Sequence, residues 1–229
     1  MDKDNIALIV AAGKGKRMGS EISKQFLTLK GKPILYYTIK AFSQCEKIDS
    51  IVLVLAKEYM DFTRKEIVEK YDFKKVKTLI EGGKERQQSV YNGLKAIDNC
   101  NIVAIHDGAR PFVTTDIIEK GIIYAEEYGA SACGVNPKDT IKVVNEQGFS
   151  VTTPDRNTLM AVQTPQCFKF DLIRQCHMKA EIEKFTATDD TMIVEHYGHR
   201  VYLYEGDYKN IKVTTPEDML LGEEILDKL

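Results

Sequence analysis

The sequence has little net charge and no long hydrophobic run, and each absence narrows what the chain can be. Its 229 residues carry 32 lysines and arginines against 34 aspartates and glutamates, a formal net charge of -2 at pH 7. Because binding to nucleic acid depends on a basic surface, this balance argues against a general nucleic-acid partner. No apolar run approaches the length of a membrane-spanning helix, and the charged N-terminus lacks the pattern of a signal sequence. We therefore expect a cytoplasmic protein with neither a nucleic-acid nor a membrane partner.

Paired cysteines are missing as well. The five cysteines are odd in number, widely spaced and never arranged as C-x-x-C. This pattern is typical of a reducing compartment, where cysteines serve as small core residues rather than as zinc ligands or a redox pair. His196 and His199 could suggest a metal pair, but no cysteine or further histidine lies at a supporting spacing. We interpret both histidines as structural.

The sequence does contain an apolar strand followed by a loop rich in glycine and lysine. Residues 6–10 form a continuous apolar run, typical of a strand buried on both faces. The loop reads Ala11-Ala12-Gly13-Lys14-Gly15-Lys16-Arg17-Met18, with Lys24 shortly after it. Glycine permits close backbone approach and the cations attract an anion, so the loop suits a polyphosphate. It matches neither the Walker pattern nor the dinucleotide fingerprint, and taken alone it could be a tight turn with solvated lysines.

Strands and helices alternate over about the first 135 residues. Further strands are expected at 50–56, 76–80 and 101–106, with helical patterns between them. This order predicts an α/β fold with a doubly wound, mostly parallel, Rossmann-like sheet, in a single domain of residues 1–229. Polar clusters follow three strands directly, in the opening loop, at 82–89 and at 107–110. Since parallel strands end at one sheet edge, we expect these clusters to form one binding site.

The pattern changes after residue 135. Residues 139–145 and 149–153 flank a turn at 146–148 and predict a β-hairpin inserted into the α/β plan. A projecting hairpin has exposed apolar and backbone edges that usually find a partner, so we expect an arm at about 137–155 that joins two copies in a homodimer. A flap folded back on its own domain is the alternative.

The remaining sequence predicts further elements of the same domain. Residues 162–168 read as an extended segment containing proline, 171–183 as a helix and 200–205 as a strand. Thr215 and Pro216 begin the C-terminal helix as its cap and first residue.

The motifs, taken in chain order, resemble one enzyme family. They are the opening loop with Arg17-Met18, Lys24-Gln25-Phe26, Gly82-Gly83-x-x-Arg86-x-x-Ser89, His106-Asp107-Gly108-Ala109-Arg110-Pro111, Asp139-Thr140-Ile141-Lys142, Gln163-Thr164-Pro165-Gln166, Thr188-Asp189-Asp190 and Asn210-Ile211-Lys212. Over nearly the whole chain this set resembles 2-C-methyl-D-erythritol 4-phosphate cytidylyltransferase. The resemblance implies a homodimeric, Mg²⁺-dependent enzyme that joins CTP to methylerythritol phosphate and releases pyrophosphate, in the non-mevalonate route to isoprenoid precursors. A ribitol-5-phosphate cytidylyltransferase is the alternative, and a non-catalytic nucleotide-binding protein is a more distant one.

The resemblance also assigns roles to individual residues. The implied catalytic residues are Arg17, Lys24, Arg156 and Lys212. Within this set Arg17 and Lys24 stabilise the α-phosphate and the leaving group, and Lys212 holds the incoming phosphate. The implied nucleotide-binding residues are Ala11, Ala12, Gly13, Gly15, Lys24, Gly82, Gly83, Ser89, Asp107 and Gly108. The implied substrate-binding residues, some of them reaching from the hairpin of a second subunit, are Asp107, Arg110, Thr140, Arg156, Thr164, Thr188 and Lys212. Asp107 is also the expected ligand of Mg²⁺.

The implied reaction needs no general base. A phosphate monoester is already largely dianionic at neutral pH, because its second pKa is near 6. The lack of a convincing Ser-His-Asp or Cys-His arrangement therefore does not count against an enzyme. The obstacle is repulsion between anions, so we expect catalysis by positioning and electrostatic stabilisation. Gly82, Gly83 and Ser89 would recognise cytosine through its pattern of donors and acceptors.

Overall fold

The computed structural model describes residues 4–13 and 23–228, and a central sheet of seven strands organises this part of the chain. The strands are β1 (Ile6–Ala11), β2 (Thr28–Leu29), β3 (Lys32–Pro33), β4 (Ser50–Leu55), β5 (Val76–Glu81), β6 (Ile102–Asp107), β7 (Ala130–Val135), β8 (Val143–Val144), β9 (Ser150–Thr152), β10 (Ala161–Lys169) and β11 (Tyr202–Glu205). The helices are α1 (Ile34–Gln44), α2 (Met60–Phe62), α3 (Arg86–Lys95), α4 (Thr115–Tyr128), α5 (Phe170–Glu183), α6 (Asp190–His196) and α7 (Pro216–Leu226).

The central sheet has the strand order β11-β7-β10-β6-β1-β4-β5. Strands β6, β1, β4 and β5 are parallel to one another, and β11 is parallel to β7. Strand β10 lies between β6 and β7 and runs antiparallel to both. The expected mostly parallel α/β sheet is therefore confirmed, and the segment expected only to be extended is an interior strand.

Helices cover both faces of the sheet because alternate side chains of each buried strand point to opposite sides. On one face Ala7 and Ile9 of β1 pack with the apolar sides of α1 and α4. On the other face Leu8 packs with residues of α3, α5 and α6. The apolar runs read from the sequence as buried strands thus have a helix layer on each side, which makes the sheet doubly wound.

The helical segment between β4 and β5 is irregular. It begins as a 3₁₀ turn at Lys57–Tyr59, continues through α2, and ends in π-helical turns at Thr63–Glu69. By contrast the C-terminal helix begins as its sequence predicts, with Pro216 in the first turn and the Asp218 carboxylate accepting from the Thr215 backbone N–H at 2.9 Å.

The hairpin expected after residue 135 is present, with shorter paired strands than its sequence suggests. Strands β8 and β9 pair only with each other, as a separate antiparallel ladder in which Val143 faces Thr152. Its large apolar side chains are open to solvent in the single chain, with Phe149 71% and Val151 64% exposed. We call residues 137–155 the arm.

All five cysteines are buried thiols, as expected for small core residues. Within the described ranges, no helix has the length and apolar character needed to cross a membrane.

Candidate active site

A cavity of about 660 Å³ opens at the edge of the sheet where the parallel strands end. The loops after β1, β5 and β6 meet there, so the predicted convergence of the three polar clusters is confirmed. Lys24 and Lys212 complete the wall from two other segments. The lining residues are Val10, Ala11, Ala12, Gly13, Lys24, Gln25, Gly83, Lys84, Glu85, Arg86, Ser89, Asp107, Ala109, Lys212 and Thr214.

Several predicted site residues are not among the described residues that line this wall. Gly15 and Arg17 fall outside the described residues. Of those that the structure does describe, Thr140, Arg156 and Thr188 are exposed and are not in the cavity lining. Their predicted contacts with substrate remain predictions.

The loop after β1 is held by Gln25, a buried residue of the Lys24-Gln25-Phe26 motif to which the motif itself gave no role. The Gln25 side-chain amide donates to the backbone oxygen of Ala11 at 2.7 Å and to that of Gly13 at 3.2 Å. Gln25 belongs to the 3₁₀ turn Lys24–Phe26, and the Phe26 ring stacks on Tyr59 with centroids 4.2 Å apart. This anchored turn brings Lys24 to the cavity wall.

The loop after β5 lies closer to the first loop than a side chain would allow. A Cβ on Gly82 would collide with the Cβ of Ala12, so only glycine permits this approach. The Ser89 hydroxyl accepts from the Gly83 N–H at 3.0 Å and donates to the Glu85 carbonyl at 2.9 Å. Ser89 therefore fixes the backbone of the glycine pair, and its predicted recognition of cytosine remains a prediction.

Asp107, at the end of β6, is held between two cations. Its carboxylate contacts the Lys212 Nζ at 2.6 Å and the Arg86 Nε at 2.9 Å. Burial opposes ionisation of this carboxyl, but Arg86 and Lys212 outweigh burial and hold its pKa well below the ordinary range. Asp107 is consequently an anion at neutral pH, and it fixes an ammonium group at the cavity wall.

Hydrogen bonds of His106 and Thr164 hold the backbone around Asp107. The Thr164 hydroxyl accepts from the Asp107 N–H at 3.1 Å and lies 3.0 Å from the His106 Nδ1. The His106 Nε2 lies 3.1 Å from the Arg110 carbonyl oxygen. A neutral imidazole with its proton on Nε2 satisfies both contacts, and burial lowers the His106 pKa to about 4.

The predicted residues Thr164, Arg110 and Gly108 thus have evident roles in supporting the site. Arg110 donates from Nη1 to the Asn210 carbonyl at 2.7 Å and so joins this loop to the segment that carries Lys212. Gly108 donates its N–H to the Val10 carbonyl at 2.9 Å, where a Cβ would press on Ala11. Their predicted contacts with ligand stay predictions.

Arg86 is the principal site residue to which sequence reasoning gave no role. It begins α3, lines the cavity and pairs with both Asp107 and the buried Asp190. Its position three residues after a glycine pair was visible in the sequence, but its partner Asp190 is 104 residues away. Gln87, also without an assigned role, bonds the Phe185 carbonyl and the Ala187 N–H and ties α3 to the segment before α6.

The cavity wall has an excess of positive charge in a place suited to a polyphosphate. Four cationic side chains face two carboxylates: Lys24, Lys84, Arg86 and Lys212 against Glu85 and Asp107. Glycine-rich backbone after β1 and β5 lies beside them, and a ligand at this edge of a doubly wound sheet occupies its usual nucleotide position. Fold and site together define an α/β protein with a site suited to a nucleotide.

Comparison with known proteins places the chain within that class. The family described as IspD, 2-C-methyl-D-erythritol 4-phosphate cytidylyltransferase, matches residues 5–228, and the chain belongs to this family. The 2-C-methyl-D-erythritol 4-phosphate cytidylyltransferase of Clostridium perfringens is 61% identical over 221 residues, which cover 96% of this chain and 98% of that protein. The corresponding Clostridium botulinum protein is 59% identical over 226 residues, 98% of each chain.

Solved structures agree with this assignment. The crystal structure of 4-diphosphocytidyl-2C-methyl-D-erythritol synthase from Anaerococcus prevotii matches with a TM-score of 0.88 and 33% identity, over 98% of this chain and 96% of that one. The cytidylyltransferase from Thermus thermophilus matches over the full length of both chains, with a TM-score of 0.81 and 28% identity. The family resemblance read from the motifs is therefore confirmed.

Proposed function

We infer that this chain is a CTP-dependent cytidylyltransferase that joins CTP to 2-C-methyl-D-erythritol 4-phosphate, giving 4-diphosphocytidyl-2-C-methyl-D-erythritol and pyrophosphate. Membership of the family supports the activity. The observation that carries the mechanism is the meeting of Lys24 and Lys212 in one cavity from opposite ends of the chain. Lys24 binds the nucleotide, and Lys212 binds the phosphate of methylerythritol phosphate.

The reaction is an in-line displacement at the α-phosphorus of CTP. A phosphate oxygen of methylerythritol phosphate forms the new P–O bond, the bond to the β-phosphate oxygen breaks, and its electron pair leaves with pyrophosphate. Lys24 and Arg17 stabilise the charge that develops on the transfer centre and the leaving group. We expect the backbone amide of Gly13, in the loop after β1, to bind the triphosphate.

Lys212 orients the attacking phosphate. An ammonium group has three donors, so the hydrogen bond to Asp107 leaves donors that can bind a phosphate oxygen. Asp107 limits where the ammonium can lie, because their separation is only 2.6 Å. Because Lys212 holds the nucleophile near the α-phosphorus, part of the entropy cost of bringing the two anions together is met when the substrate binds.

Mg²⁺ is part of this proposal, with Asp107 as its protein ligand. In the described ranges no group of three or more His, Cys, Asp or Glu side chains could hold a metal by itself. A Mg²⁺ ion usually combines one or two carboxylates with substrate phosphates and water. Asp107 is an ionised carboxylate in the cavity wall, and a Mg²⁺ ion bound there would share its oxygens with Arg86 and Lys212. When bound, the ion neutralises charge on the triphosphate.

A homodimer joined by the arm completes the proposal. Thr140 lies on the arm and Arg156 directly follows it, and both are exposed in the single chain. In a dimer these two residues would supply contacts to the sugar phosphate in the partner's cavity. Thr188, shortly before α6, is expected to contact the sugar phosphate as well. The buried cysteine thiols suit a reducing compartment and support a cytoplasmic location.

Pyrophosphate release tests the function directly. The protein is incubated with CTP and Mg²⁺ and with either methylerythritol phosphate or ribitol 5-phosphate, and we expect release with the first. Release only with ribitol phosphate would establish the related ribitol enzyme. Release with neither would leave a nucleotide-binding protein without transferase activity. Replacing CTP with UTP tests base recognition, because uracil presents an acceptor where cytosine presents a donor.

A further inference from the structure

A buried aspartate and a buried histidine contact each other directly behind the cavity wall. Asp190, the first residue of α6, and His177, on α5, have side chains that are each only 1% exposed. The His177 Nε2 donates to the Asp190 Oδ1 at 2.9 Å. The other carboxylate oxygen, Oδ2, accepts from the Arg86 Nη1 at 2.9 Å. Both oxygens of this buried carboxylate are therefore engaged.

Arg86 connects this pair to the site. Its guanidinium contacts Asp107 through Nε and Asp190 through Nη1, both at 2.9 Å. Asp107 in turn holds Lys212. A continuous series of one hydrogen bond and three ion pairs thus runs from the buried imidazole to the ammonium group at the cavity wall.

The charges along this series balance. Burial disfavours the ionised form of Asp190, but Arg86 and the His177 hydrogen bond outweigh burial and lower its pKa. Asp190 and Asp107 are therefore both anions, and they offset the charges of Arg86 and Lys212. Without Asp190, Arg86 would carry a charge balanced only by Asp107, and its long side chain would be fixed at one end only.

We propose that Asp190 and His177 are positioning residues, which hold the Arg86 guanidinium and through it keep the Asp107–Lys212 pair in the geometry that receives the incoming phosphate. This inference rests on the proposed transferase function, because the geometry matters for attack on the α-phosphorus. His177 fixes the Asp190 carboxylate, Asp190 fixes Arg86, and Arg86 fixes Asp107. Loss of the His177 or Asp190 contact displaces Arg86, then Asp107 and then Lys212. The rate of transfer falls, although neither His177 nor Asp190 touches the substrate.

Two His177 variants separate positioning from packing. His177→Leu fills the site but removes the donor to Asp190, whereas His177→Gln keeps a donor of similar reach. We expect His177→Leu to lower kcat about tenfold with little change in the KM for CTP, and His177→Gln to restore kcat to within about twofold of the wild type. Cys176→Ala, a buried neighbour in the apolar cluster, is the control for destabilisation and should change Tm but not kcat.

A double-mutant cycle tests whether Asp190 acts through Arg86. Asp190→Asn removes the charge, and Arg86→Lys keeps a charge but cannot span two carboxylates. We expect Asp190→Asn to lower kcat about tenfold in the wild type and less than about twofold in the Arg86→Lys background, since the two share one route. Equal losses in both backgrounds would overturn the proposal.

A readout without turnover separates failure of the inference from failure of the function. The ¹⁵N NMR signal of the Arg86 Nε–H group reports its contact with Asp107 in the protein without substrates. We expect this signal to shift in His177→Leu and to stay near its wild-type position in His177→Gln. An inactive wild type would refute the transferase function, whereas an unchanged signal in His177→Leu would refute the positioning role whether or not the protein turns over.

Discussion

Individual side chains of this site hold the charge they need because of particular neighbours. Asp107 stays anionic because Arg86 and Lys212 contact it, although it is largely buried. His106 stays neutral because it is buried with both ring nitrogens engaged. The ionised carboxylate can direct Lys212, and the neutral imidazole can support the backbone next to it without adding a charge.

Removal of the Lys212 ammonium should impair the chemical step more than nucleotide binding. In Lys212→Ala we expect kcat/KM for methylerythritol phosphate to fall by about 10²–10³, the usual effect of losing one group that stabilises a transition state. Steady-state kinetics measures this loss, and calorimetry should find CTP affinity changed less than about threefold. Lys209→Ala, an exposed lysine three residues earlier, is the control. Equal losses in the two variants would show that Lys212 contributes only general positive charge.

His106 should make stability depend on pH in a defined window. Its pKa is lowered from 6.5 to about 4 in the folded protein, so between these values the unfolded chain binds a proton that the folded chain does not. Stability is therefore lost as pH falls from about 6.5 towards 4, by about 3 kcal/mol in all. Urea unfolding of the wild type and His106→Gln at several pH values measures this, because the variant lacks the titration. Parallel stability curves across the window would contradict this account.

At the scale of elements, the sequence predicted the interior strands well and the antiparallel strand poorly. Apolar runs with β-branched residues identified the interior strands β1, β4 and β6, since a strand covered on both faces needs such a run, and a shorter run identified the edge strand β5. Strand β10 was expected only to be extended, because a proline normally excludes a central strand. Pro165 is tolerated because the pairing of β10 with β7 shifts register between Val162 and Gln166, so the regular ladder is interrupted there.

The parts of the site that lie within one loop were predictable, and those assembled from distant elements were not. The glycines and cations that follow β1 and β5 were enough to predict the side of the cavity that binds the nucleotide. The contact of Arg86 with Asp190 depends on how α6 packs near α3, and no local pattern encodes that packing. The motif containing Gln163, Thr164 and Gln166 was recognised without a mechanism; the structure shows these residues bonding the elements that carry Asp107, Asp190 and Lys212.

The close approach of the loops after β1 and β5 should be sensitive to a single methyl group. Gly82→Ala places a Cβ against Ala12 and 3.0 Å from the Ser89 Oγ. We expect a loss of about 1–3 kcal/mol in the free energy of unfolding, and weaker CTP binding because the two loops must separate. Chemical denaturation and calorimetry measure the two effects. Gly13→Ala, where a Cβ meets no atom of the described residues within 4 Å, should leave the stability nearly unchanged; equal destabilisation would show that close contact is not the cause.

At the scale of the whole molecule, segments from both ends of the chain form one site, and the arm between them is exposed. The loop after β1 and Lys212 meet in the cavity, while the arm carries apolar side chains that solvent reaches in the single chain. An exposed apolar patch on a projecting hairpin promotes aggregation unless another surface covers it. In the proposed dimer a second copy would cover this patch and would bring Thr140 and Arg156 to a cavity that, in one chain, they do not line.

The proposed dimer therefore predicts different results for two equally exposed residues. Phe149 on the arm is 71% exposed and Leu220 on α7 is 70% exposed, so aspartate at either position spares the core of the single chain. We expect light scattering to give twice the 26.0 kDa of one chain for the wild type and Leu220→Asp, and the mass of one chain for Phe149→Asp. The KM for methylerythritol phosphate should rise in Phe149→Asp, because Thr140 and Arg156 no longer reach the partner's cavity. If Phe149→Asp stays dimeric with an unchanged KM, the arm is a flap on its own domain and the two copies meet elsewhere.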